Sequence, residues 1–366
     1  MRACQRTCYR GWAIRCKSGH AHSTALRALR YYPWPRSLLI RREVHIFGCC
    51  DPLADRYSMI KNLPTQQNFK GLAKDCLLQT TNNLFEITKD YTGEKHDVYS
   101  DLDENEIWGH HRGDLRTCLV LLYQALELYL KGEICKESPY LLLETPRHDW
   151  PTNPESIDKD FNELFTISAD QLLRTFNAIY TDTEKKKDIN KIFNDIRKKR
   201  NIITHSSPTF DITPQYLIET CIKCFTLFEG NDEWWLQTKQ NIVDHPLFGY
   251  GDYDYELANL AFRLDFIKEK VGLKFLNKHS DIDLTARKYY CPYCSHYLSD
   301  IGHQKSEITK WAMLYPNKPD STNLLCYSCQ NTFTVTRIKC TSGDCKGNVV
   351  SDSNVCLTCL KEVDDD

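Results

Sequence analysis

The sequence predicts a mainly α protein: a helical bundle, then a connector helix, then two small β ribbons. Three observations carry that reading. Apolar residues recur at helical period through the middle of the chain, as in Ile189, Ile192, Phe193 and Ile196. Leu257, Leu260, Ala261, Leu264, Ile267 and Val271 mark a further helix with heptad-like spacing. Near the end, cysteines gather in two quartets: Cys291, Cys294, Cys326 and Cys329, then Cys340, Cys345, Cys356 and Cys359. The 366 residues exceed one ordinary domain and divide as 1–58, 59–245, 246–288, 289–338 and 339–366.

The composition, with 41% hydrophobic residues and a net charge of -2, is that of a globular chain. No apolar run reaches membrane-spanning length, so the expected location is cytoplasmic. The near-neutral total hides an asymmetry. Residues 1–42 hold ten Lys and Arg and no Asp or Glu, so +10 there leaves -12 for the remainder. We read 1–58 as a basic extension outside the fold, disordered or the product of an upstream start, with Met59 as the natural beginning. A transit segment and a nucleic-acid-binding arm are the alternatives.

Within the fold, a first helix runs from Thr65 to Lys89 with Phe69, Leu72, Cys76, Leu84 and Ile87 on one side. Asp97 to Glu106 is acidic and reads as a solvated loop, and His110-His111-Arg112 follows it on a polar segment. Leu115 to Glu133 is apolar nearly all round, which places it at the bundle centre. A loop with Pro146, Pro151 and Pro154 comes next, then a helix from Asp158 to Tyr180. Another helix runs from Lys187 to His205. Thr213-Pro214 supplies an N-cap and a proline at the first helical position for a helix that ends at Phe228, before Gly230. Cys221 and Cys224 have CxxC spacing, but Leu217, Ile218, Ile222 and Phe225 around them favour core packing. Tyr250 to Asp254 reads as a domain edge. The heptad-like helix beyond it, to about Lys278, reads as a rigid connector or a dimerisation helix.

The stretch Arg200-Asn201-Ile202-Ile203-Thr204-His205 carries the candidate chemistry. Arg200 lies on the apolar stripe, four residues after Ile196, and a guanidinium there needs a carboxylate, a phosphate or a route to water. His205 falls in the last turn before Ser206-Ser207-Pro208, where the helix dipole favours the imidazolium. Pairing of Arg200 with Asp195 and a solvated capping role for His205 are the bland alternatives. The R-N-x-x-x-H string resembles the signature of HEPN domains, helical-bundle proteins that include many ribonucleases of bacterial toxin and defence systems. Ala125-Leu126-Glu127 and Leu130-Lys131, in the helix from Leu119 to Gly132, are similar to the ALE-x-x-LK helix of those bundles.

The resemblance covers roughly Asp114 to Gly230. It implies a HEPN-like bundle and a metal-independent endoribonuclease acting on RNA. Arg200 would hold the scissile phosphate, Asn201 would orient it, and His205 would be the general acid or base. The product would carry a 2',3'-cyclic phosphate. Residues five apart on a helix point about 140° from each other. The family usually resolves this by pairing protomers, which implies a homodimer.

Each CxxC makes a tight knuckle that aims two thiolates at one ion, so the eight cysteines fill two tetrahedral Cys4 sites. Two structural zinc ions are expected, one per ribbon, with His296 and His303 as the alternative ligands. A full Cys4 shell leaves no open position for catalysis. Between the sites Phe333, Val335, Arg337, Ile338 and Lys339 alternate as in a strand and offer contacts to RNA phosphates, with Tyr327 as a base-stacking aromatic. A protein partner is the alternative. Asp364-Asp365-Asp366 disfavours phosphate at the very end. No P-loop or dinucleotide motif is present. The rival to the ribonuclease is a non-catalytic zinc-binding adaptor or sensor with the helical dimer as scaffold.

Overall fold

A computed structural model describes residues 60–89, 103–146, 150, 158–205, 212–250 and 252–363. The expectations for 1–58, for Asp97 to Leu102, for Ser206 to Pro208 and for the acidic tail lie outside them. The compact unit that contains the described residues is Ser58–Asp366.

Helices α1 (Gln66–Lys89), α2 (Glu104–His110) and α3 (Arg112–Glu137) open the fold. Asp103 caps α2 by accepting from the Asn105 N–H, so the end of the expected acidic loop is helical. The central helix α3 buries Leu119, Leu122, Ala125, Leu126, Tyr129 and Leu130 completely. Its apolar faces look in several directions at once, and α1, α4 (Ala169–Ile179), α5 (Thr183–His205) and α6 (Pro214–Phe228) all pack on it. Each such leucine contributes roughly 1.5–3 kcal/mol by leaving water. Gly132 lets α1 approach closely, because a Cβ there would lie 3.4 Å from the Gln66 carbonyl oxygen.

The expected helix over Asp158–Tyr180 forms only in its second half. Residues Lys159–Asp160 instead make β2, parallel to β1 (Ile60–Lys61), and Phe161–Glu163 is a short 3-10 turn capped by Asp160. Ser168 and Gln171 then form a capping box that starts α4. Phe161 and Leu164 still point to the core, so the apolar spacing was satisfied by a different backbone.

Helix α7 (Glu233–Val243) follows a turn at Gly230, and α8 (Asp252–Val271) carries the heptad-like seam. Leu257, Leu260, Ala261, Leu264 and Ile267 are all buried within the chain, against α6, α7 and α10 (Pro292–Asp300). That seam is therefore used internally, which corrects the dimerisation-helix expectation. Gly272, at φ +79, ends α8 and separates it from α9 (Leu273–Lys278), so the expected single helix is two.

The C-terminal part is one antiparallel sheet in the order β3 (Ala312–Leu314), β4 (Asn323–Cys326), β5 (Thr332–Thr336), β6 (Val350–Ser351). Leu324 faces Phe333 and Val335 faces Ser351 in its register. The two ribbons share this sheet, with β5 common to both. The apolar core of the bundle continues into the first ribbon, while Cys340, Val350, Cys356 and Val363 form a separate small cluster in the second. No described helix is long and apolar enough to cross a membrane.

Candidate functional site

The two cysteine quartets come together as the spacing requires. In the first, Cys291 precedes α10 and its Sγ accepts from the Cys294 N–H, so the first knuckle doubles as a helix cap. Cys326 ends β4, and the Gln330 N–H returns to its carbonyl at 2.8 Å with Gln330 in a left-handed conformation. The second site repeats this device: the Leu360 N–H bonds the Cys356 carbonyl at 2.7 Å, with Leu360 at φ 54.

Sulfur separations are 3.7 Å for Cys291–Cys329 and 4.0 Å for Cys294–Cys326. They are 3.7 Å for Cys340–Cys359 and 3.8 Å for Cys345–Cys356. A tetrahedral ion with metal–sulfur bonds of about 2.3 Å would set its ligands about 3.8 Å apart. Each quartet therefore fits one metal ion, and two such clusters occur among the described residues. Burial pushes the Cys291 thiol far up, and bonds from neighbouring thiols, together with burial, do the same to Cys294. At Cys326 burial pulls upward too, but bonds from Cys291, Cys294 and Cys329 overcome it and hold the thiol low. Cys356 is likewise lowered against burial, by backbone N–H groups of Thr358 and Cys359. His296 and His303 join neither quartet; they pair with Asp300 and Glu307.

Residues outside the quartets complete these sites, and their sequence positions gave no signal. Asp232, at φ 61, accepts at 2.6 Å from Tyr327 Oη and at 2.7 Å from the Asp281 N–H. Trp235 Nε1 donates to the Ser328 carbonyl at 2.9 Å. These bonds tie the start of α7 to the Cys326–Cys329 knuckle. Burial lowers the pKa of the Lys239 ammonium on the same helix, against the attraction of the Cys329 and Cys326 sulfurs. At the second site, Lys310 Nζ donates to the Thr358 carbonyl at 3.2 Å and Lys305 Nζ to that of Cys359. Gly347 is required sterically: a Cβ there would stand 2.8 Å from Cys356 Sγ and 2.6 Å from Thr358 Oγ1.

Tyr327, expected to stack on bases, is fully buried, with its ring stacked on Trp235. Burial, then the Asp232 carboxylate, raises its phenol. The base-stacking expectation for this residue is corrected. Cys221 and Cys224 are buried in the bundle, Cys221 Sγ lying 3.6 Å from the Leu77 carbonyl, and take no part in a metal cluster.

In the Arg200–His205 stretch, Ile189, Phe193 and Ile196 bury one face of α5 against the core and bring Arg200 over the Tyr123 ring of α3 at 4.5 Å. Its Nη1 donates to Asn201 Oδ1 at 3.0 Å. Asp195 is engaged elsewhere, by Tyr216 Oη at 2.7 Å and Lys199 at 3.3 Å. Arg200 borders a groove of about 310 Å³ lined also by Val120, Tyr123, Gln124, Glu127 and Lys131. Asn201 is exposed. His205 is the last residue of α5, and its side chain lies outside the described set. His111 Nδ1 sits 2.8 Å from Asp114 Oδ2, between α2 and α3.

No family model, no curated protein and no solved structure matches the chain.

Proposed function

We propose that this chain is a metal-independent endoribonuclease of the HEPN type, built on two structural zinc ions. The observation that carries the reading is Arg200. It is a half-buried guanidinium at the edge of a groove, held by an aromatic face and an amide oxygen, with no carboxylate in ion-pair reach among the described residues. Such a cation is set up for an anion brought from outside. In this reading Arg200 binds the scissile phosphate and Asn201 keeps the guanidinium aimed. The 2'-hydroxyl oxygen attacks phosphorus as its proton leaves to a base, and the bond to the 5' oxygen breaks as that oxygen gains a proton. His205 serves one of these transfers. The products are a 2',3'-cyclic phosphate and a 5'-hydroxyl, and two protomers share the site.

Zinc is assigned from the donor set, four thiolates per site at tetrahedral separation. Cys291, Cys294, Cys326 and Cys329 hold one ion, and Cys340, Cys345, Cys356 and Cys359 the other. Bound there, zinc supplies folding free energy to segments too small for a sufficient core.

The test uses the full chain and end-labelled RNA without added divalent ions. Cleavage to cyclic phosphate ends is expected, falling at least about a hundredfold in Arg200→Ala and His205→Ala. Intact RNA, or cleavage undiminished in both variants, would sink the reading. One observation favours the non-catalytic adaptor: Glu127 shares the groove with Arg200 and opposes a phosphate there. RNA retained but uncut would select that reading.

A further inference from the structure

The helix that carries Tyr123 beneath Arg200 has one outward stripe. Arg112, Arg116, Val120, Gln124, Glu127 and Lys131 of α3 recur every three or four positions, and each is exposed or half-buried. Two grooves open along this stripe. Val120, Gln124, Glu127 and Lys131 line the Arg200 groove. Arg112 and Arg116 line a second groove of about 510 Å³, beside the start of α6. The nineteen residues from Arg112 to Lys131 make the stripe about 28 Å long.

Charge along the stripe runs against that of the chain. Residues 43–366 total -12, yet three of the six stripe residues are cations, one is a carboxylate, and Arg200 overhangs the middle. Across the second groove Lys270 is paired with Glu104 and Glu269. With those three included, the two grooves hold five cations and three carboxylates among the described residues, so they stay net positive. Arg112 and Arg116 also interact within the chain, but a guanidinium has five N–H donors and can serve such a partner and a phosphate oxygen together.

The spacing narrows the ligand. Along the axis from Tyr123, Arg116 and Arg112 lie roughly 10 and 16 Å toward one end, and Lys131 about 12 Å toward the other. Cations set along a line match successive phosphates of an extended strand. An A-form duplex instead curves its phosphates away and keeps its major-groove base edges where side chains cannot read them. Between the cations, Val120 is 44% exposed and offers an apolar contact, and Gln124 offers an amide. Glu127 repels a phosphate but accepts from the amino group of an unpaired base.

We propose that the α3 stripe is a track for single-stranded RNA. Arg112, Arg116 and Lys131 bind phosphates on either side of the one held by Arg200, while Gln124 and Glu127 meet an unpaired base. The place of the scissile phosphate rests on the ribonuclease reading above.

Fluorescence anisotropy of the full chain with labelled 2'-O-methyl oligonucleotides tests this, because no 2'-hydroxyl is then free to attack. An eight-nucleotide single strand should bind at least about tenfold tighter than its duplex or a trinucleotide. Arg112→Ala and Arg116→Ala should each weaken it at least about fivefold and lower the log–log salt slope by about 0.7. Lys191→Ala removes an equal charge from the exposed side of α5 and should change binding much less. The basic residues 1–42 are common to every variant. If an arginine variant does not fold by circular dichroism, Gln124→Ala and Lys131→Ala carry the test. No saturable binding overturns the track, as does an equal loss in Lys191→Ala, a duplex bound as tightly, or polyglutamate competing as well as RNA. Such binding without cleavage of ordinary RNA would remove the nuclease and leave the track. Cleavage that depends on Arg200, with binding unmoved in the stripe variants, would remove the track and leave the nuclease.

Discussion

Single residues set the clearest tests. His279 is 8% exposed, its Nδ1 is 3.0 Å from Thr226 Oγ1, and its ring packs on Phe275. Burial, then Lys278 and Lys223, lower its pKa from 6.5 to about 4, against the pull of Glu219. The unfolded chain therefore takes up a proton that the fold refuses. Stability tied to this group is complete above pH 6.5 and falls as pH drops toward 4, by up to about 3 kcal/mol. Urea midpoints at neutral and acid pH should show that loss, and His279→Gln should reduce it; an equal loss in the variant would assign the effect elsewhere. Gly347→Ala puts a methyl against Cys356 Sγ and Thr358. Metal analysis should then fall from about two ions per chain to about one, whereas full occupancy would show that the loop yields. Tyr327→Phe leaves Asp232 Oδ1 buried without its donor and should cost about 1–3 kcal/mol in denaturant unfolding.

At the scale of elements, α5 shows how stripe and chemistry coexist. Phe193→Ala should cost about 3–5 kcal/mol, because its ring is fully buried and tilted against Tyr123. The exposed Lys191→Ala should change the midpoint little. An equal cost for both would refute the packing assigned to this helix. What the sequence disclosed followed from local rules. The all-round apolar α3 and the Thr213-Pro214 start of α6 rest on neighbours within a few residues, and the cysteine knuckles rest on CxxC spacing. The missed features depend on distant partners. Lys159–Asp160 looked helical because Phe161, Leu164 and Leu172 keep a helical spacing, but β1, about a hundred residues away, draws that backbone into a strand. Asp232 and Trp235 are ordinary in sequence and acquire their roles when α7 reaches the first knuckle.

At the scale of the whole molecule, the first metal site belongs to the main core and the second does not. Cys291, Cys294, Cys326 and Cys329 are all buried within the large apolar cluster, while Cys345 and Cys359 are partly open. Metal release to a chelator should therefore occur in two phases, fast from the second quartet and slow from the first. A single phase would show that the sites are coupled. Because Trp234, Trp235 and Tyr327 share one aromatic cluster, a chain cut before Cys291 would expose both tryptophans. The helices are thus not a free-standing half. The sheet also has a mechanical meaning. β6 contributes two residues to it and is the outermost strand, while β5 lies between the two quartets. Tension applied at the C-terminus would load that short edge first and peel the last module away as a unit. The inner strands and the helices behind them would be shielded until the force rose again.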